Sequence, residues 1–255
     1  MSLRLGVILA SCFCLLPLPA SGEHLQEVLQ QMVDAYGGEA NVRKLDSMVQ
    51  EWDFLALMGN KQGSDVRALA MPDRLKVELT YPDKKETRVL DGDTGYVIYD
   101  SRPAAVAQEH QTNAMRLQLM RLYSPLALLD RIENIHLTDK GDFLVLTLQE
   151  NGLQADYLVN KEDWYIEKVL GTLHINGMKM NFLTEYEDFR EIEGVVLHHK
   201  ENKFAGSVNT ARLELRHVEL DAAIDDADFD PDKGRDNAEE DSLHSESADE
   251  ELIST

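Results

Sequence analysis

Residues 71–100, MPDRLKVELTYPDKKETRVLDGDTGYVIYD, leave this chain little choice of fold class. From Arg74 to Tyr81 the side chains alternate, with Leu75, Val77, Leu79 and Tyr81 on one side and Arg74, Lys76, Glu78 and Thr80 on the other. Successive side chains of an extended segment face opposite ways, so this is a strand with one buried and one wet face. Pro82-Asp83 with two lysines is a turn, residues 86–90 are a second strand, and Asp91-Gly92-Asp93 is a tight turn. Residues 95–99, aromatic and β-branched, are a third strand. Turns this short leave no room for a crossover helix, so the strands pair antiparallel.

The flanking chain extends the pattern. Residues 48–58 form a long strand, with Trp52 and Phe54 on one face and Leu55 and Leu57 assigned to the other. Residues 60–63 turn and residues 64–71 return, which completes a five-strand meander. After Arg102-Pro103 the period changes. Residues 104–122 contain no Gly or Pro, and Met115, Leu119 and Leu122, with Leu117 and Met120 alongside, predict a helix with a broad apolar face. Ser124-Pro125 breaks it, and Leu126, Leu128, Leu129 and Ile132 continue as a second short helix. Six strand candidates follow, at residues 143–149, 153–159, 164–175, 178–189, 195–204 and 210–220. Ahead of the sheet, Leu25, Val28, Leu29, Met32 and Val33 have helical spacing, Gly37-Gly38 ends that helix, and residues 39–45 form another. The expected fold is mainly β with helices (α+β). It has a single antiparallel sheet of about eleven strands, which must curl at that length.

Residues 1–22 read as a secretory signal peptide: Arg4, an apolar run from Leu5 to Leu16, and Ala20-Ser21-Gly22 as the cleavage site. Leu9-Ala10-Ser11-Cys12 offers the alternative of a lipid anchor through Cys12. Cys12 and Cys14, the two cysteines, both lie in this leader. A chain cleaved after Gly22 has no disulfide, no thiol nucleophile and no thiolate metal site. Of the formal net charge of −22, Asp221 to Thr255 carries −12, with 14 acidic and 2 basic residues. Residues 231–255 therefore read as a disordered acidic tail behind one domain at 23–230. An acidic chain without basic clusters argues against nucleic acid as a partner. No Gly-x-Ser-x-Gly, Ser-x-x-Lys or phosphate loop is present, and the isolated histidines, with no HExxH, offer no metal-site motif.

The order and spacing of Pro72-Asp73-Arg74-Leu75, Tyr81-Pro82-Asp83 and Asp91-Gly92-Asp93-Thr94-Gly95-Tyr96 resemble the LolA/LolB-like periplasmic lipoprotein-carrier superfamily, relatives of outer-membrane lipoprotein-sorting proteins. Phe189 to Val195 is similar to that group's closing hairpin, although His198 stands where its members usually have proline. The resemblance implies a strongly curved half-barrel whose concave face is crossed by helices, here residues 115–132. It implies a periplasmic, non-enzymatic carrier without cofactor. Its partners would be a lipid or an acylated lipoprotein, with transient membrane contact.

A curled sheet partly filled by a helix leaves space suited to an acyl chain, and each methylene withdrawn from water is worth about 0.8 kcal/mol. The expected liners are Trp52, Phe54, Leu75, Val77, Leu79, Tyr96, Ile98, Met180, Phe182, Tyr186, Leu213 and Leu215 from the sheet. Met115, Leu119 and Leu122 join them from the lid. Two alternatives stand beside this carrier. One is an envelope module that binds a protein partner and has a filled core, and the other is a hydrolase with a dispersed site.

Overall fold

A computed structural model describes residues 21–232 except 101 and 176. The leader as far as residue 20, with Cys12 and Cys14, and the tail from residue 233 lie outside the described residues. The chain opens with helices Ser21–Ala35 (α1) and Glu39–Val42 (α2), and a 3₁₀ turn at Arg43–Asp46. The meander follows: Ser47–Ala56 (β1), Lys61–Ala70 (β2), Arg74–Tyr81 (β3), Lys84–Asp91 (β4), Thr94–Tyr99 (β5) and the two-residue Ala105–Val106 (β6). Helices Glu109–Met120 (α3) and Pro125–Leu129 (α4) come next. The second run is Ile135–Lys140 (β7), Phe143–Glu150 (β8), Leu153–Asn160 (β9), Ile166–Ile175 (β10), Met178–Ile192 (β11), Val195–Ala205 (β12) and Val208–Leu220 (β13).

Among the described residues thirteen strands form one antiparallel sheet in the order β6-β5-β4-β3-β2-β1-β13-β12-β11-β10-β9-β8-β7. The fold class is as expected, and the described residues hold thirteen strands where about eleven were expected. Ile135–Lys140 is a further strand, in which Ile135 and Leu137 alternate with polar neighbours. The predicted helix at 104–122 is shorter, because Ala105–Val106 pairs with β5 and Gln111 Oε1 accepts from Gln108 N to start α3 only at Glu109. β2 begins at Lys61, inside the expected turn.

The curl can be judged from one side chain. β2 and β12 lie three places apart in the sheet, about 14 Å if it were flat. Yet the Arg67 guanidinium of β2 reaches Glu201 of β12 at 2.7 Å. The sheet is therefore a half-barrel. α1 closes one end, with Leu29 and Met32 fully buried. Tyr36 seats it edge-on against Tyr165 at 5.4 Å, and its hydroxyl accepts from Ile166 N. Gly37 and Gly38, at φ 114° and 82°, cap α1 as the Gly-Gly signal predicted.

Candidate binding site

α3 lies in the trough of the half-barrel. It touches β3, β4 and β5 on one arm of the sheet and β9 and β10 on the other. Thr112, Met115, Leu117, Leu119 and Met120 are all buried, more than one stripe of a helix, because the sheet meets it from two sides. Two glycines let it lie flush. A Cβ at Gly95 of β5 would stand 2.7 Å from Thr112 Oγ1, and one at Gly171 of β10 would stand 3.0 Å from the Leu117 side chain. At its C-terminal end two backbone carbonyls accept from buried tyrosines, Tyr157 Oη to Met120 O and Tyr186 Oη to Arg121 O, each 2.6 Å. Burial, more than any neighbouring charge, pushes both phenols up, so both stay protonated donors at neutral pH. On the outer side Arg116 ties α3 to Asp93 of the β4–β5 turn at 2.8 Å.

Beneath the C-terminal end of α3 the concave face is polar. Arg67, only 1 % exposed, donates to both carboxylate oxygens of Asp65 and of Glu201, at 2.7–3.2 Å. Lys203 Nζ stands 3.6 Å from Asp65 and 3.3 Å from Glu201. The Arg67 guanidinium also lies 5.0 Å from the Trp52 ring centre, and Trp52 Nε1 donates to Gln50. His198 stacks between Trp52 and Tyr186 with Nε2 3.2 Å from Glu201 Oε1. Apolar alternation does not reveal this cluster, because its members are charged and come from strands far apart in the chain. Its available signal was Asp65 and Arg67, two charges on the face of β2 that also carries Leu69.

Burial alone would push the Glu201 carboxyl up, but Arg67, Lys203 and hydrogen bonds from His198 and Arg67 together hold it well below the ordinary 4.5. A depressed carboxylate stabilises the fold fully above its unfolded pKa, and that contribution is lost as pH falls toward the folded value. The stability gap between wild type and Glu201→Gln is therefore expected to be widest above pH 4.5 and to close below it. Urea midpoints of both proteins across that range check this. A gap independent of pH would mean that Glu201 is held neutral.

The predicted liners divide. Leu75, Val77, Met115, Leu119 and Tyr186 are buried in the core beneath and around α3, with Leu79, Leu122 and Phe182 packed against it. Trp52 and Leu213 form a second cluster with Phe54 and Leu215 beside them, and Phe54 meets Tyr81 edge-on at 5.3 Å. Met180 lies toward the far end of β11 and is 39 % exposed. Tyr96 and Ile98 require correction. Val97 pairs with Arg88, the partner of Val77, so the inward residues of β5 are Gly95 and Val97, while Tyr96 and Ile98 face the other side. A continuous apolar run leaves the choice of face open, and the pairing decides it.

Cavities adjoin α3 on more than one side. One of about 260 Å³ lies between Gln111, Ala114, Met115 and Gln118 of the helix and Glu86, Arg88, Val97 and Tyr99 of the sheet, and two others border its C-terminal half. One, of about 380 Å³, lies between its outer side, the β2–β3 and β4–β5 turns and the β8–β9 turn, with Leu119, Met120, Tyr123, Arg116 and Arg131 in its walls. The other, of about 50 Å³, lies between the C-terminal end of α3 and the inner face, next to Arg121, Tyr186 and His198. It has room for a few waters, far less than an acyl chain needs.

No protein-family model matches the chain, and no curated protein matches it. Solved structures do. A LolA superfamily protein of Nitrosomonas europaea superposes with a TM-score of 0.53 at 14 % identity, covering 80 % of this chain and 96 % of that one. An outer membrane lipoprotein-sorting protein domain of Vibrio parahaemolyticus gives 0.52 at 9 % identity, covering 82 % and 97 %. The fold is thus that of LolA-type proteins, as the motifs at residues 72–96 implied.

Proposed function

We propose that the protein is a non-enzymatic carrier of the bacterial periplasm that shields the acyl chain of a lipid or an acylated lipoprotein beneath α3. The supporting observation is the seating of α3. One helix bridges both arms of an open sheet and rests on Gly95 and Gly171, with apolar side chains on both sides of the contact. If α3 swings out, Met115, Leu117, Leu119 and Met120 leave a trough walled by Leu75, Val77, Val169 and Leu173. A chain of ordinary length entering there would gain on the order of ten kcal/mol, at about 0.8 kcal/mol per methylene, before the cost of moving the lid. The described form is then the closed one, and release would need a partner or membrane that competes for the chain.

A second reading, an envelope module that binds a protein, is favoured by the filled concave face. A lid lock separates the two. Leu117→Cys with Gly171→Cys places two thiols where the helix and strand already touch. The oxidised variant is expected to take up no labelled palmitoyl lipid from vesicles, and the reduced one to take it up as wild type does. Equal uptake by oxidised and reduced forms would remove α3 from the mechanism. No uptake by wild type would favour the protein-binding module.

A further inference from the structure

The buried charges of the concave face do not balance, and the excess sits on the lid. Arg67 and Lys203 face Asp65 and Glu201, two against two. Arg88 pairs with Glu86 on the same face at 2.6 Å. In the wall of the larger cavity Arg116 has Asp93, and Arg131 lies 3.5 Å from Glu150. Arg121, the residue that follows α3, has no carboxylate within ion-pair distance among the described residues. Its Nη1 donates to a neutral hydroxyl, Thr184 Oγ1, at 3.2 Å. Its Nε is buried without a hydrogen-bond partner. Burial pulls its pKa down, and the nearby Arg67 adds to that against the opposing fields of Tyr186 and Glu201.

We propose that Arg121 seats an oxyanion, the carboxylate or phosphate of an amphiphile whose chain lies beneath α3. The proposal rests on the carrier reading and narrows its cargo to lipids with an acidic head group. Arg121 lines the 50 Å³ cavity, where Tyr186, His198 and Ser124 offer further polar groups and Leu122 and Leu197 give apolar wall. A planar fork with unused donors matches a carboxylate or phosphate, and charge-assisted bonds of this kind are the strong ones. A buried cation without counter-charge is costly, and a ligand that brings its own negative charge removes that cost. The Arg121 carbonyl is also the acceptor of Tyr186 Oη, so head-group binding and lid position act on the same residue.

The test compares amphiphiles with the same chain. Equilibrium binding of palmitate against hexadecanol, and of palmitoyl-lysophosphatidate against monopalmitoylglycerol, is measured on the mature chain, on Arg121→Gln and on Arg121→Lys. Thermal melts confirm that each variant is folded. Wild type is expected to prefer the acid of at least one pair by tenfold or more, and the pair that discriminates tells carboxylate from phosphate. Arg121→Gln is expected to bring that ratio to about one without weakening the neutral partner, and Arg121→Lys to keep part of it. Equal affinity of wild type within both pairs, or a preference that survives Arg121→Gln, overturns the proposal while leaving the carrier intact. Binding of none of the four overturns the carrier reading and this proposal with it.

Discussion

Arg67→Met is expected to lower the unfolding free energy by about 3–5 kcal/mol, since it strips two buried carboxylates of their shared counter-charge. Asp65 and Glu201 would remain in place with Lys203, itself 23 % exposed and more than 3 Å from either, and with the His198 ring 3.2 Å from Glu201. Loss on that scale is a large part of the 5–15 kcal/mol typical of a domain, so the variant should be close to unfolding at ambient temperature. Urea titration with tryptophan emission reads it well, because Trp52 lies against the Arg67 guanidinium. Replacing Asp65, Arg67 and Glu201 together by apolar residues of similar size is expected to cost less than Arg67→Met alone. A loss below about 1 kcal/mol for the single change would mean that the carboxylates reach water or are protonated.

Gly171→Val with Gly95→Val should unseat the lid. Added side chains at these positions run into Leu117 on one arm and into Thr112, Ala107 and Met115 on the other. Overpacking of this kind costs about 1–3 kcal/mol per site, and because both sites press on one helix the two costs should not simply add. The sheet keeps its own hydrogen bonds, so α3 is the element expected to give way. The double variant should bind an apolar dye strongly and be cut by trypsin after Arg116 or Arg121, where wild type resists. Unchanged proteolysis would show that the strands move instead and that α3 stays in place.

The sheet was legible because most strands carry their own alternation: Arg74–Tyr81 and Leu153–Asn160 can be read from side chains taken two at a time. So were the Gly-Gly cap and the Ser124-Pro125 break, where Ser124 Oγ accepts from Ala127 N to open α4. Three things were not. The face of β5 depends on pairing with β4 rather than on its own run of apolar residues. β6 is too short to carry a pattern. The charged cluster joins residues on β2 and β12, 134 positions apart in the chain, and only the curl brings them together. Arg121 follows directly on the helical pattern of α3, where an arginine reads as a solvated end, and nothing local tells that Thr184 and Tyr186 close over it.

The sheet is open in space, yet its order closes on itself in sequence. The first long strand, β1, is central and has the last strand, β13, as a neighbour, and Met48 pairs with Leu220. Asp221 N and Ala222 N then bond to Lys44 O and Ser47 O, so the chain leaves the sheet where it entered it. A chain that emerges from its N-terminus first can build the meander β1 to β5 at once, but one edge of β1 must wait for the final strand. Closing that longest loop comes after all the local hairpins in entropic order, which makes the β1–β13 seam the natural late step of folding. Until it closes, Trp52 lacks Leu213 and Leu215 as neighbours, and the nascent half-barrel is two separate ribbons joined by the stretch that will become its lid.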